Sequence, residues 1–168
     1  MFCTESSVGG LKSALSVRRS LVPMLPESMS VKDNLDVVRK LSEALTNCDW
    51  TVFDDLVAED CEWTDVPSGR TIRGVVELLE ACRAFTTAFP DFSVESVTLI
   101  GQGDLVANEW SGRGTHDGPL PRPDGGHYAP TGRSFARTGV GIVELREGKV
   151  VRYRDYFDRQ TMTEQLGL

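Results

Sequence analysis

Three side chains that can move protons lie near aromatic residues on predicted strands. Asp65 follows Trp63, His116 stands where a strand runs into a long loop, and Asp155 shares a strand face with Tyr153. A carboxylate in apolar surroundings has a raised pKa that suits a general base, and a histidine can donate to a developing enolate oxygen. These residues therefore predict acid/base chemistry beside a carbonyl group.

Each of the three candidates also has a structural alternative. Asp65 precedes Pro67 and Ser68, so it can cap a turn instead. His116 can anchor its loop through backbone hydrogen bonds. A buried Asp155 needs a partner, and an ion pair with an arginine such as Arg137 would supply one.

Aromatic and amide side chains on the same strands predict the wall of a pocket. Asn108 and Trp110 share one strand face with His116, because side chains alternate with a period of two. On a concave face Trp110 would form a flat wall for a planar ring, whereas on any other face it packs a core. Tyr128 lies in the long loop and is predicted to close over a ligand. The full set of predicted substrate-binding residues is Trp63, Asn108, Trp110, Tyr128, Tyr153 and Phe157.

Composition narrows the classes of partner. The chain has 168 residues and a net charge of −7, which argues against nucleic acid or a membrane as the main partner. No apolar run approaches the roughly 18 residues of a membrane helix. Four cysteines without a C-x-x-C pair indicate reduced thiols in a cytoplasmic protein. His116 and His127 match no common metal-ligand spacing, so we predict no metal and no cofactor, and a small hydrophobic ligand as the partner.

The first 30 residues differ in composition from the rest. They are rich in serine, contain Lys12, Arg18 and Arg19, and have only two acids, Glu5 and Glu27. Such a composition is typical of an organellar leader, and equally of a disordered extension or of a start upstream of the true one. We predict that residues 31–168 form one domain.

Hydrophobic periodicity predicts the order of elements in that domain. Helices are expected at 31–47, 50–58 and 75–89, a strand at 61–66, four strands at 92–100, 105–112, 134–145 and 150–158, and a last helix at 161–166. Gly139 and Gly141 predict a bend or a close packing point in the third of those four strands. Hairpin-linked strands predict an α+β fold, in which a strongly bent antiparallel sheet with helices on its concave side forms a cone with a pocket at its mouth.

Several motifs are similar to those of the SnoaL-like polyketide cyclase branch of the nuclear transport factor 2-like superfamily. They are Glu109-Trp110, Gly114-Thr115-His116-x-Gly118-Pro119, Pro130-Thr131-Gly132-Arg133 and Gly148-Lys149-Val150-Val151. The ending Tyr153-Arg154-Asp155-Tyr156-Phe157-Asp158 is similar to the limonene-epoxide-hydrolase-like branch. The resemblance covers residues 31–168 and implies the cone fold.

The resemblance also implies roles for the three candidates. Asp65 resembles the general-base aspartate of ketosteroid isomerases, His116 the pocket histidine of the cyclases, and Asp155 an acid of the epoxide hydrolases. Two family features are missing. Residues 127–143 contain no Asp or Glu where the cyclases carry an acid, and residues 108–112 contain no Arg-x-Asp pair.

The sequence thus predicts a cofactor-independent isomerase, cyclase or lyase acting on a polyketide-like or steroid-like carbonyl compound. Asp65 would abstract the proton, His116 would stabilise the enolate, and Asp155 would orient or reprotonate it. One alternative is a binding module with the same pocket and no chemistry. The other is a homodimeric interaction domain, since related sheets pair face to face, with Arg137, Arg152, Arg154 and Tyr156 at the interface.

Overall fold

The structure is a computed structural model that describes residues 29–122 and 124–168. Its helices are α1 Val31–Asn47, α2 Trp50–Leu56, α3 Val75–Ala88 and α4 Arg159–Leu166. Its strands are β1 Val57–Asp65, β2 Arg70–Arg73, β3 Ser93–Gln102, β4 Leu105–Thr115, β5 Leu120–Pro121, β6 His127–Tyr128, β7 Ser134–Arg146 and β8 Lys149–Phe157. The predicted extension, residues 1–30, lies almost entirely outside the described residues. None of the described helices is long and apolar enough to cross a membrane.

A capping box starts α1. The backbone N–H of Asp33 donates to Ser30 Oγ at 3.2 Å, and the backbone N–H of Ser30 donates to Asp33 Oδ2 at 3.3 Å. Behind this cap, Val38 and Leu41 are almost fully buried and lie at helical spacing. The cap and the apolar stripe together fix α1 on the inner face of the sheet, against β3.

Six strands form one sheet in the order β2-β1-β8-β7-β4-β3, with helices packed on one face. This is the α+β architecture that the sequence predicts. Neighbouring strands are antiparallel except for β1 and β8, which run parallel and place Asp65 directly beside Asp155. That parallel pair was not predicted, because only hairpin-linked neighbours can be inferred from short turns.

The junction between α2 and β1 differs from the sequence-based expectation, which ended the helix at residue 58 and began the strand at residue 61. Helix α2 ends at Leu56, and the chain is already extended at Val57, where β1 begins. Val57 and Ala58 are buried, so their apolar side chains are stabilised by facing the core rather than by one more helical turn. Two further pieces, the short edge strand β2 and the two-residue β5–β6 pair in the long loop, were not predicted.

Two glycines of β7 permit close packing. A Cβ atom on Gly139 would overlap the ring of Trp110, and one on Gly141 would overlap the phenol of Tyr153. The predicted close packing point is therefore confirmed. Both large aromatic side chains lie flat against β7 because nothing projects from these positions.

Candidate active site

A cavity of about 420 Å³ lies between the helices and the inner face of the sheet. Its wall is mostly apolar and includes Leu41 and Leu78 on the helical side, with Phe85 and Met162 further along. This volume lies within the usual range for small-molecule sites. The cavity is the place where a hydrophobic ligand of modest size would be enclosed.

Eight of the nine predicted site residues line this cavity. They are Trp63, Asp65, Asn108, Trp110, Tyr128, Tyr153, Asp155 and Phe157. The burial pattern of β4 and β8 explains the result, because alternate side chains of each strand face inward. The structure brings these side chains together, and their individual roles stay predictions.

His116 lies elsewhere. It is fully buried, its Nδ1 lies 3.2 Å from Thr131 Oγ1, and its ring packs against Phe89. Its backbone N–H donates to the carbonyl oxygen of Arg133 at 2.9 Å. His116 is not part of the cavity wall, so this geometry fits the loop-anchoring alternative and offers no support for a role in stabilising an enolate.

Asp155 is the carboxylate best placed for proton transfer. The indole Nε1 of Trp110 donates to Asp155 Oδ1 at 2.9 Å. Burial raises the pKa of Asp155 to about 6, the charge of Asp65 acts in the same direction, and the Trp110 hydrogen bond and Arg137 oppose the rise. Asp155 is therefore mostly ionised at neutral pH but binds a proton far more readily than an exposed aspartate does.

Asp65 both caps a turn and lines the cavity. Its Oδ1 accepts a hydrogen bond from the backbone N–H of Ser68 at 3.0 Å, as the turn-capping alternative requires. It also lines the cavity and is paired with Asp155 in the β1–β8 register. Adjacent strands lie about 4.8 Å apart, so the charge of Asp65 disfavours ionisation of Asp155.

Tyr153 is a buried hydrogen-bond donor on the cavity wall. Its ring stacks on Trp63 with centroids 3.9 Å apart and planes 2° from parallel. Burial raises the pKa of the Tyr153 phenol well above its ordinary value, Asp155 adds to the rise, and a hydrogen bond with Asn108 opposes it. The phenol stays protonated at neutral pH, and its oxygen occupies the space in front of Gly141.

Arg137 is a charged residue that lines the cavity but was not among the site residues predicted from the sequence. Its guanidinium carbon lies 4.1 Å from the ring centroid of Phe157 and 5.4 Å from that of Trp110. Burial lowers the pKa of Arg137 to about 10, although Asp155 and Asp65 oppose the change, so the side chain remains charged at neutral pH. The alternation of Phe135, Arg137 and Gly139 along β7 was the available signal.

Two predictions about Arg137 are wrong. Among the described residues no carboxylate lies within 4.0 Å of it, so it does not form the expected ion pair with Asp155. It also faces the cavity instead of the outer surface of the sheet, and so it is not available at a dimer interface. Within the described part of the chain, no three His, Cys, Asp or Glu side chains converge in a way that would hold a metal ion.

Comparison with known proteins agrees with this geometry. A family model for SnoaL-like polyketide cyclase matches residues 35–166. IdmH from Streptomyces antibioticus, a candidate polyketide cyclase, is 26% identical with a TM-score of 0.66, and the match covers 80% of this chain and 99% of that one. An LEH-like epoxide hydrolase from M. tuberculosis is 20% identical with a TM-score of 0.64 over 81% of this chain and 90% of that one, which shows a shared fold.

One curated relative aligns over a short segment. The uncharacterized protein YesE of Bacillus subtilis is 36% identical over 42 residues. These residues are 25% of this chain and 29% of that protein, so the matched part spans less than a third of the relative's length.

Proposed function

This chain belongs to the SnoaL-like polyketide cyclase family, and from that premise we propose that it is a cofactor-independent acid/base enzyme acting on a small hydrophobic carbonyl compound. The observation that carries the proposal is Asp155, a buried carboxylate with a pKa of about 6 in the wall of an apolar cavity. A base with a pKa slightly below the working pH combines the correct ionisation state with a useful affinity for the proton.

Asp155 would take the proton from the carbon next to the substrate carbonyl. The C–H electron pair becomes the C=C bond of an enolate, and the carbonyl π electrons move onto oxygen. The free Oδ2 of Asp155 is the natural acceptor, because Oδ1 already accepts from Trp110. Asp155 then returns the proton to another carbon in an isomerisation. In a cyclisation the enolate carbon instead attacks a second carbonyl carbon, whose π electrons move onto its oxygen, and Asp155 returns the proton to that alkoxide.

Tyr153 would stabilise the enolate oxygen. Its phenol is protonated, buried and part of the cavity wall, and a preorganised donor in a dry site stabilises a developing oxyanion strongly. Compared with the expectation from sequence, the base becomes Asp155 instead of Asp65, and the donor becomes Tyr153 instead of His116. Asp65 would help to hold up the pKa of Asp155.

The walls favour a flat substrate. Trp63 stacked on Tyr153 presents one aromatic face, and Trp110 and Phe157 present another beside Asp155. Planar ring compounds gain most from such surfaces. A polyketide-like aromatic ketone therefore fits the proposal better than an open-chain carbonyl compound.

Hydrogen–deuterium exchange tests the proposal. The protein is incubated with tetralone, a bicyclic ketone, in deuterated water, and exchange next to the carbonyl is followed by NMR. We expect exchange above the buffer rate, and a loss of about 10²-fold or more in Asp155→Asn, the usual scale for a general base. Asp54→Asn, at an exposed position outside the cavity wall, is the matched control and should exchange like wild type. Wild-type exchange in Asp155→Asn would contradict the assignment.

The second candidate is a binding protein without turnover. The missing acid in residues 127–143 favours it, because the related cyclases carry an aspartate there. Ligand that stays bound with no exchange over a long incubation would support this reading, whereas any exchange that depends on Asp155 would exclude it.

A further inference from the structure

The most unusual group in the cavity wall is the guanidinium of Arg137. Four aromatic rings surround its guanidinium carbon, at centroid distances of 4.1 Å for Phe157, 5.4 Å for Trp110 and for Phe135, and 5.8 Å for Phe85. Arginine is favoured in such cages because its planar group stacks on aromatic faces. These four rings hold the plane of the guanidinium in place. The N–H groups along its edges need hydrogen-bond acceptors from elsewhere.

Those edges are poorly satisfied within the described residues. Nη1 donates to the thioether sulfur of Met162 at 3.2 Å, which is a weak acceptor, and the buried Nε has no partner there. The nearby carboxylates Asp155 and Asp65 act on Arg137 through their charge, but neither lies within ion-pair distance. A buried charged donor without an acceptor is costly, and a bound anion is one of the partners that would satisfy it.

The balance of charge in the cavity points to the same kind of ligand. The whole chain has a net charge of −7, yet the charged side chains that the structure places in the wall are three arginines and two aspartates. These are Arg70, Arg137, Arg159, Asp65 and Asp155. Arg70 and Arg159 are exposed, and Arg70 is paired with Glu77 at 3.9 Å, so Arg137 is the positive side chain best placed to meet an anion inside the cavity.

On the function proposed above, we propose that Arg137 binds a carboxylate of the substrate, so that the enzyme prefers a carbonyl acid to a neutral ketone or ester of the same shape. The flat guanidinium has the geometry for two parallel hydrogen bonds to a carboxylate. Stacking on Phe157 already orders the side chain, so little conformational entropy is lost when the anion binds.

The strand register fixes where that carboxylate lies relative to the reacting carbon. Asp155 and Phe157 are two residues apart on the inner face of β8, a separation of roughly 7 Å along the strand. Because Arg137 stacks on Phe157, a carboxylate bound to Arg137 would lie beside Phe157, two residues along β8 from Asp155, the proposed proton acceptor. The substrate would therefore carry its carboxylate and its acidic C–H on different sides of one ring.

A pair of probes that differ in charge tests the inference. Naphthoate and naphthamide have nearly the same shape, and both can be titrated by quenching of the tryptophans, two of which, Trp63 and Trp110, line the cavity. We expect wild type to bind naphthoate at least tenfold more tightly than naphthamide. In Arg137→Met this ratio should fall to about one, because methionine keeps the length and apolar character that the cage requires but removes the charge.

Arg113→Met is the matched control. Arg113 lies on β4 outside the cavity wall, where its Nε donates to Ser93 Oγ, and its removal changes the net charge by the same amount. It should keep the preference for naphthoate. Equal affinity of wild type for the two probes would overturn the inference, as would an Arg137→Met protein that keeps the preference. If Arg137→Met does not fold, Arg137→Lys replaces it and should reduce the preference without abolishing it, since the charge stays but the planar fork is lost.

The outcome is separable from that of the proposed function. Asp155→Asn removes a negative charge near Arg137, so it should bind naphthoate at least as tightly as wild type while losing exchange of tetralone. Retained exchange in Asp155→Asn would contradict the proposed base and leave the naphthoate preference standing. An absent preference combined with lost exchange would reject the carboxylate site and leave the base in place.

Discussion

At the scale of single residues, the ionisation of Asp155 should control the rate. Its pKa lies above the ordinary value because burial disfavours the charged form. Proton abstraction needs the ionised form, so kcat/KM should be constant above about pH 7 and should fall tenfold for each further pH unit below about 6. The measurement is a pH profile of tetralone exchange, corrected for the buffer reaction. A profile without an acid limb between pH 5 and 7 would contradict the role of Asp155.

Whether a residue could be placed in the site from the sequence depended on how far away in the sequence its contacts lie. Asp155 and Trp110 were found because two-residue alternation places a side chain on a face without any knowledge of the neighbouring strand. His116 continues the inward alternation of β4 and is buried, but its ring contacts Phe89 and Thr131 instead of the cavity, and the alternation alone does not distinguish these two environments. Arg137 was missed because three of its four ring partners lie on other elements of the fold, and only Phe135 is close to it in sequence.

At the scale of elements, the glycines of β7 keep the stacked pair Trp63–Tyr153 in place. A methyl group at Gly141 would push the Tyr153 phenol off β7. Gly141→Ala should lower the free energy of unfolding by about 1–3 kcal/mol, the usual cost of overpacking, and should weaken naphthoate binding. Urea unfolding and tryptophan fluorescence measure the two effects.

Gly126→Ala is the matched control for this substitution. Gly126 lies in the β5–β6 turn, where an added Cβ meets its nearest neighbour at an ordinary 3.5 Å. Its effect should stay within about 0.5 kcal/mol. Equal stability losses in the two variants would show that the space in front of Gly141 is not tightly filled.

The helices and hairpins could largely be predicted from the sequence, but the pairing of β1 with β8 could not. The stripe on α1 and the turns between β3 and β4 and between β7 and β8 are local signals, so these elements appear close to their expected bounds. The β1–β8 pair joins strands from opposite ends of the domain. Its register is set by burial of the inner faces of both strands, and no short window of sequence contains both.

At the scale of the whole molecule, the outer face of the sheet predicts a homodimer. Val140 and Tyr156 are exposed by 40% and 42% and are paired on the neighbouring strands β7 and β8, and Ile100 is exposed by 67% on β3, which β4 separates from β7. Exposed apolar side chains grouped on a sheet face are typical of an interface, and a second copy of the chain offers the same surface. Arg152 and Arg154 are bound to Glu144 on this side, so they would form its polar rim.

Light scattering tests this expectation. Val140→Lys places a charge in the middle of the apolar face and should convert a dimer into a monomer at micromolar concentration. Val76→Lys introduces the same change on α3, where Val76 is exposed by 69% away from the sheet, and should leave the mass unchanged. A wild-type monomer, or a Val140→Lys protein that remains dimeric, would exclude this interface.

The parallel pairing of β1 with β8 also determines when the site can form. Asp65 and Asp155 are separated by 90 residues in sequence, and their strands are neighbours only in the folded sheet. Loop-closure entropy opposes such a distant contact until the intervening hairpins are in place. During synthesis, the nascent chain would therefore have no proton acceptor in its cavity until β8 has left the ribosome and entered the sheet. On the proposed function, Asp155 enters the site only once β8 has paired with β1.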